Sequence, residues 1–288
     1  MNIKLENVSF SYNQNKNSQV VLKEINLEIK SGEFVGIVGP MGSGKTTLLE
    51  LISGFLNPFS GKVLFDGIDI YSNKKTISDL RKKISIVFQF PERQLFEDTV
   101  FDDISFGPKN HGIIGEKLEI LVRESLECVG LDFERLNQKS PFNLSYGEQR
   151  RVAIAGIIAS NPEIILLDEP TIAVDYNGLK HIEKIVNSMY LKGKTIILVS
   201  HDIDLIAKNV DRIIAIEEGK IVFDGDKNEF FRNGNLVRNL NLEMPETIKF
   251  ISKYNLKDLD DIYDITVIKN KLSKINFSFK DDFPKNCL

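Results

Sequence analysis

No stretch of this sequence approaches the roughly 20 consecutive apolar residues that a helix needs to cross a bilayer, so no membrane-spanning helix is expected. Cysteine is scarce. Cys128 and Cys287 lie far apart and form no C-x-x-C pair, which removes a zinc site and a disulfide framework and points to reduced thiols in a cytoplasm. Positive charge is not in excess: the formal net charge is -4, too acidic for the broad cationic field with which nucleic-acid binders displace counterions from phosphates. No nucleic-acid partner is expected. The opening Met1-Asn2-Ile3-Lys4-Leu5-Glu6 carries an acidic residue and no apolar signal core, so export is not expected either. Internal repeats and low-complexity tracts are also missing. What is present is an ordinary globular balance, 42% hydrophobic and 27% charged over 288 residues, enough for one large domain with a smaller appendage.

Apolar and polar residues alternate in the first thirty positions, as in Ile3/Leu5 and Ile25/Leu27/Ile29, which predicts short half-buried strands. Lys30-Ser31-Gly32-Glu33 turns the chain into Phe34-Val35-Gly36-Ile37-Val38, a glycine-bounded run suited to a strand buried on both faces. Helical spacing follows from Thr46 to Leu56. The runs Ile164–Leu167 and Thr195–Val199 alternate with helical stretches, the pattern of a parallel sheet covered by helices. Residues 90–151 hold the periodic segment Lys117 to Val129 and little strand signal, so a helical subdomain is expected there, inserted between core segments 1–89 and 152–231. A C-terminal extension, 232–288, contains a helix start at Pro245-Glu246-Thr247 and a Lys- and Asn-rich tail beyond Thr266.

The segment Gly39-Pro40-Met41-Gly42-Ser43-Gly44-Lys45-Thr46 fits G-x-x-x-x-G-K-[ST] between a predicted strand and a predicted helix. Glycines let backbone N–H groups curl around phosphates, and the helix start adds partial positive charge. Lys45 neutralises the terminal phosphates, the Thr46 hydroxyl can ligate magnesium, and Thr47 can reach the α-phosphate side. These features predict ATP binding and hydrolysis. Asp168-Glu169-Pro170 ends a core strand, where open α/β sheets bind ligands. Adjacent carboxylates can divide labour, with Asp168 holding magnesium and Glu169 polarising the attacking water as general base.

Leu144-Ser145-Tyr146-Gly147-Glu148-Gln149 is similar to the LSGGQ signature of ATP-binding-cassette proteins, with all motifs in family order over residues 1–230. The resemblance implies an α/β P-loop core with an N-terminal antiparallel β subdomain, an inserted helical subdomain and a small C-terminal extension. It gives Ser145 and Gly147 contacts to the γ-phosphate of ATP bound by the other cassette of a dimer. Tyr146 departs from the usual first glycine, and would be strained if that position required positive φ. His201, at a strand end in Val199-Ser200-His201-Asp202, takes the family's switch position beside the γ-phosphate; His111 and His181 are read as ordinary structural histidines. Gln89 matches the Q-loop glutamine that ligates magnesium and links the ATP site to a membrane partner. Tyr12 resembles the aromatic residue that stacks on adenine. Asp175 fits the D-loop aspartate, although Ile172-Ala173-Val174 and Tyr176 depart from the usual pattern around it.

The branch is identified by Gln89-Phe90-Pro91-Glu92-Arg93-Gln94-Leu95-Phe96, Thr99-Val100, Asp103-Ile104 and Phe106-Gly107-Pro108-Lys109-Asn110, which resemble energy-coupling factor and cobalt-transporter ATPases. Val129-Gly130-Leu131 and Leu242-Glu243-Met244-Pro245-Glu246 resemble them too. The resemblance implies an importer ATPase at the cytoplasmic face of the cell membrane, paired with a second ABC ATPase in a homo- or heterodimer. Its other partners would be a transmembrane coupling subunit and a membrane subunit that captures a vitamin or transition-metal ion. The extension 232–288 would make a dimer contact. Phe90, Leu95, Phe96 and Phe101 alternate with Glu92, Glu97, Asp98 and Asp102, an expected groove for a basic amphipathic helix. The alternatives are a soluble ABC-class ATPase and a nucleotide-binding regulator that does not hydrolyse; Glu169 and His201 weigh against the second.

Overall fold

The computed structural model describes residues 1–13, 19–171, 176–254, 256 and 263–274. The chain opens with β1 (Ile3–Phe10) and β2 (Leu22–Ile29), antiparallel, with Ile3 opposite Ile29 and Leu5 opposite Leu27. Ile25, Leu27 and Ile29 are buried while Asn26 and Glu28 face solvent, so the two-residue period decides which face packs inward. Gly32, at φ 79°, turns the chain into β3 (Phe34–Val38), and the loop after it leads into α1 (Lys45–Ile52). Next, β4 (Ser60–Phe65) pairs with β1 and, through Asp66-Gly67, with β5 (Ile68–Asp69). Both turn residues have positive φ, 48° and 81°, the geometry that joins twisted strands through a two-residue loop. These strands form an antiparallel sheet of order β2-β1-β4-β5.

After α2 (Lys74–Arg81), whose N-terminus the Asn73 side chain caps, comes β6 (Ile84–Val87). Helices then follow one another: α3 (Val100–Asn110), α4 (Glu116–Cys128), α5 (Phe133–Leu136) and α6 (Tyr146–Ala159), with 3-10 turns at Pro91–Gln94 and Pro141–Asn143. Alternation resumes with β7 (Ile164–Asp168), α7 (Tyr176–Leu191), β8 (Thr195–Val199) and α8 (Ile203–Asn209). The hairpin β9 (Arg212–Glu217) and β10 (Lys220–Asp226) turns at Glu218-Gly219, again with both φ angles positive, 48° and 80°. The second sheet has order β10-β9-β3-β8-β7-β6, parallel except for the antiparallel edge strand β10. Short helices complete the described residues: α9 (Lys227–Arg232), α10 (Gly234–Asn239), α11 (Glu246–Lys253) and α12 (Ile265–Lys274). The helix start expected at Pro245 is present, and the Lys- and Asn-rich tail beyond Thr266 begins within α12.

The uninterrupted apolar runs of β3, β7 and β8 have a direct cause, since every residue in them is buried. Phe34, Val38, Ile165, Leu167, Ile196 and Leu198 join a core beneath the helices. Their neighbours Val35, Ile37, Ile164, Leu166, Ile197 and Val199 join a second core with α1 and the antiparallel sheet. A parallel sheet sandwiched in this way gathers the C-terminal ends of its strands at one edge, and the loops after β3, β6, β7 and β8 all open there.

Candidate active site

The phosphate loop is shaped by backbone that only glycine tolerates. Gly39 has φ 148°, and a Cβ on it would lie 2.0 Å from the Ile216 carbonyl oxygen. At Gly44, φ is 107°, and a Cβ would come within 2.7 Å of Leu22. The loop delivers Lys45 at the first position of α1, where its Nζ donates to the carbonyls of Gly39 and Pro40, 2.9 Å each. Burial pushes the Lys45 ammonium below its usual range, and the nearby Glu169 and Asp168 oppose that shift. The Ser43 hydroxyl oxygen is buried without a hydrogen-bond partner.

Opposite the loop, β7 ends in Asp168 and Glu169. Glu169 sits in the left-handed region at φ 50°, held by its N–H donating to the Val199 carbonyl at 2.9 Å. Such a conformation costs about 1–3 kcal/mol in a non-glycine residue and collects at functional sites. The carboxylate accepts from the His201 N–H at 3.1 Å, and the His201 imidazole Nε2 lies 3.5 Å from its other oxygen. Asp168 Oδ1 and Glu169 Oε1 have no hydrogen-bond partner. Burial raises both carboxyls, partly offset at Asp168 by a hydrogen bond from Thr46 and at Glu169 by the His201 N–H. Burial, with Lys45 adding to it, pushes His201 below its ordinary value, so its imidazole is neutral at pH 7.

These groups line one open cleft of about 1050 Å³. Its wall holds Tyr12, Pro40, Met41, Gly42, Ser43, Gly44, Lys45, Thr46, Thr47, Gln89, Asp168, Glu169 and His201, all expected from sequence; Gly39 contributes its carbonyl beneath Lys45. Tyr12 is 60% exposed, stands edge-on to Phe10 and places its hydroxyl 3.0 Å from that of Thr47. It also donates to Glu50 at 3.3 Å, a carboxylate missing from the sequence reading that burial raises. Glu217, Glu218 and Gly219, at the β9–β10 turn, are further lining residues that were not anticipated. A Gly219 Cβ would sit 2.2 Å from the Val21 carbonyl oxygen, so the turn is pressed against the chain leading into β2.

Ser145 and Gly147 do not line this cleft; they stand at the start of α6. Ser145 caps that helix, its hydroxyl donating to Glu148 Oε2 at 2.7 Å, while Glu148 also accepts from the Ser145 N–H at 3.1 Å and from Arg135 at 2.7 Å. These donors bring the Glu148 carboxyl down to about 2, with the Arg135 hydrogen bond the leading cause. The sequence reading passed over Glu148, although Ser145-x-x-Glu148 has the spacing of a capping box. Tyr146 lies in the right-handed first turn of α6, so the positive φ that would have strained it does not arise. Glu92 corrects the expected acidic groove: it is buried and accepts from the Tyr146 hydroxyl at 2.5 Å. Leu95 is buried as well, and only Phe96, edge-on to Phe106, is strongly exposed among the four apolar positions. Asp102 is occupied by Thr99 and Lys109. Asp175 lies outside the described residues.

A glycine-rich loop over a parallel sheet, a buried lysine facing adjacent carboxylates and a histidine at the next strand end define a P-loop ATPase of the cassette class. Comparison with known proteins agrees. Residues 22–172 match the family model described as "ABC transporter". The chain is 41% identical over 280 residues to the energy-coupling factor transporter ATP-binding protein EcfA2 of Clostridium perfringens, spanning 96% of this chain and 98% of that one. It is 47% identical over 248 residues to the protein of the same name from Caldanaerobacter subterraneus subsp. tengcongensis, spanning 85% and 86%. Its structure superposes on cbiO1 from Clostridium perfringens, described as part of the ABC transporter complex cbiONQ, with TM-score 0.71, 36% identity and coverage of 87% of this chain and 98% of that one. It also superposes on a dimeric ATP-binding cassette bound to ADP and Pi, with TM-score 0.70, 33% identity and coverage of 78% and 98%. The chain belongs to the ABC transporter family, among the ATP-binding proteins of energy-coupling factor transporters, and is an ATPase coupled to transport. Among the described residues, no helix is long and apolar enough to cross a membrane.

Proposed function

We propose that this chain pairs with a second cassette at the cytoplasmic face of the cell membrane and drives uptake of a vitamin or transition-metal ion through membrane partners. The observation that carries the catalytic part is the pair of buried, unpartnered carboxylate oxygens on Asp168 and Glu169, facing the same cleft as Lys45. Loop N–H groups from Gly39 to Thr47 and the start of α1 would cradle the phosphates, with Tyr12 offering its ring to the adenine. Lys45 would trade its two loop carbonyls for the terminal phosphate oxygens. Asp168 Oδ1, the Thr46 hydroxyl and the Gln89 amide oxygen are hard oxygen donors on one wall, a set that fits magnesium. When bound there, the ion supplies charge neutralisation at the phosphate oxygens.

Glu169, its backbone fixed against Val199, would take the proton of the attacking water, and neutral His201 would hold the γ-phosphate. Ser145, Gly147 and Asp175 would act across the dimer, the first two on the ATP held by the partner cassette. Closure would then move the coupling subunit, and hydrolysis would reset it. The absence of Ser145 and Gly147 from the cleft supports this division of the site between two chains. In the assembled transporter, Glu169→Gln should retain ATP binding, lose turnover and accumulate a closed ATP-loaded cassette dimer by gel filtration. Normal turnover in that variant would remove Glu169 from the role of base.

A further inference from the structure

Glu92 is 8% exposed, an unusual place for a carboxylate unless something holds it there. It belongs to the 3-10 turn Pro91–Gln94, which begins two residues after the cleft residue Gln89. Its Oε1 accepts from the Tyr146 hydroxyl at 2.5 Å, and its Oε2 makes no hydrogen bond. One turn further along the same face of α6 lies Arg150, 5% exposed, whose guanidinium is attracted to Glu92. Arg150 Nη2 in turn donates to the carbonyl of Pro170, the residue after Glu169. A single buried carboxylate thus faces two positions of the signature helix, one beside Ser145 and Gly147 and the other bonded to the exit of the catalytic strand.

Resting on the proposed two-cassette mechanism, we propose that Glu92 and Tyr146 are positioning residues. Their hydrogen bond ties the turn after Gln89 to the first turn of α6, so that the segment leaving the cleft holds the signature in a fixed orientation. A glycine at position 146 has no hydroxyl to make this tie. The tyrosine, which departs from the family motif, is therefore a functional replacement. Neither side chain lines the nucleotide cleft, so the tie acts on how the signature is presented and not on how the chain grips its own ATP.

The test uses the complete transporter in proteoliposomes and compares the unaltered chain with Tyr146→Phe, Glu92→Gln and the double variant. Tyr146→Phe removes one oxygen from a half-exposed ring and keeps the packing. It should lower kcat for ATP hydrolysis by about tenfold or more, the rate equivalent of losing one hydrogen bond to a charged group, with KM for ATP within about twofold. The double variant should be no slower than the slower single variant, because both remove the same tie. A Tyr146→Phe kcat within about twofold of the unaltered chain, or losses that multiply in the double variant, would overturn the proposal. If Glu92→Gln fails to fold, as judged by circular dichroism, Tyr146→Phe decides alone through the kcat and KM split. A Glu169→Gln control that still turns over would sink the hydrolytic reading while leaving the Tyr146 comparison interpretable.

Discussion

At the scale of single residues, the site depends on groups kept short of partners. Asp168 Oδ1, Glu169 Oε1 and Ser43 Oγ are buried acceptors that the chain itself leaves unsatisfied, which costs stability unless a ligand completes them. The electrostatics have a testable sign. Glu169 must be ionised to take a proton, and burial raises its carboxyl above 4.5. Activity is therefore full above that raised value and falls as pH drops through it, so the acid limb of the kcat profile should lie above pH 4.5. A pH profile of ATP turnover by the assembled transporter checks this, and a kcat that stays flat to about pH 4 would contradict a raised base. His201 shifts the other way, since lowering its pKa extends the range in which it is neutral towards lower pH. Most of these residues were legible because the phosphate loop and the strand-end carboxylates are local motifs. Glu92 was not, because whether an acid near a turn faces water or a tyrosine 54 positions away is not a local property.

At the scale of elements, α6 shows how a helix start carries function. Ser145 caps it, Glu148 returns the bond, and Arg135 from α5 fixes Glu148 in place. Glu148 has a depressed pKa in the folded state, about 2 against an ordinary 4.5. A depressed carboxyl contributes stability that is fully present above the unfolded value and is lost as pH falls through the folded one. Glu148→Gln should therefore lower Tm near neutral pH, and the gap from the unaltered chain should close as pH falls from about 4.5 towards about 2, read by thermal unfolding in a pH series. A gap independent of pH would show that the loss does not come from the carboxylate's charge. The hairpins are a further lesson at this scale. Asp66-Gly67 and Glu218-Gly219 both hold two successive positive φ angles, and Asp-Gly is a strong hairpin signal, yet β4, β9 and β10 were absent from the sequence reading. β10 lies at the sheet edge with no fully buried residue and β4 buries only Val63 and Phe65, so neither carries a strong apolar period.

At the scale of the whole molecule, two large cores share the parallel sheet, and a third, small one joins α11 to α12 through Ile251, Ile268 and Leu272. This C-terminal unit is attached to α8, the helix that follows His201. The Glu246 N–H donates to Asp204 at 2.8 Å, and the buried Tyr263 packs on Phe231. Because its core is so small, Leu272→Ala should cost about 2–5 kcal/mol locally and open α11 and α12 before the cassette unfolds. Limited proteolysis should then release this region early while ATP binding stays unchanged; coincident loss of both would mean that the extension and the cassette fold as one unit. The sequence by itself determined the phosphate loop, the adjacent strand-end carboxylates, the buried strands and the family, because each is written in adjacent residues whose spacing fixes backbone or period. Only the tertiary structure decided which acids are interior and that Tyr146 reaches Glu92. Those facts depend on segments distant in sequence being brought together, and the packing that does so follows from the total burial of the chain.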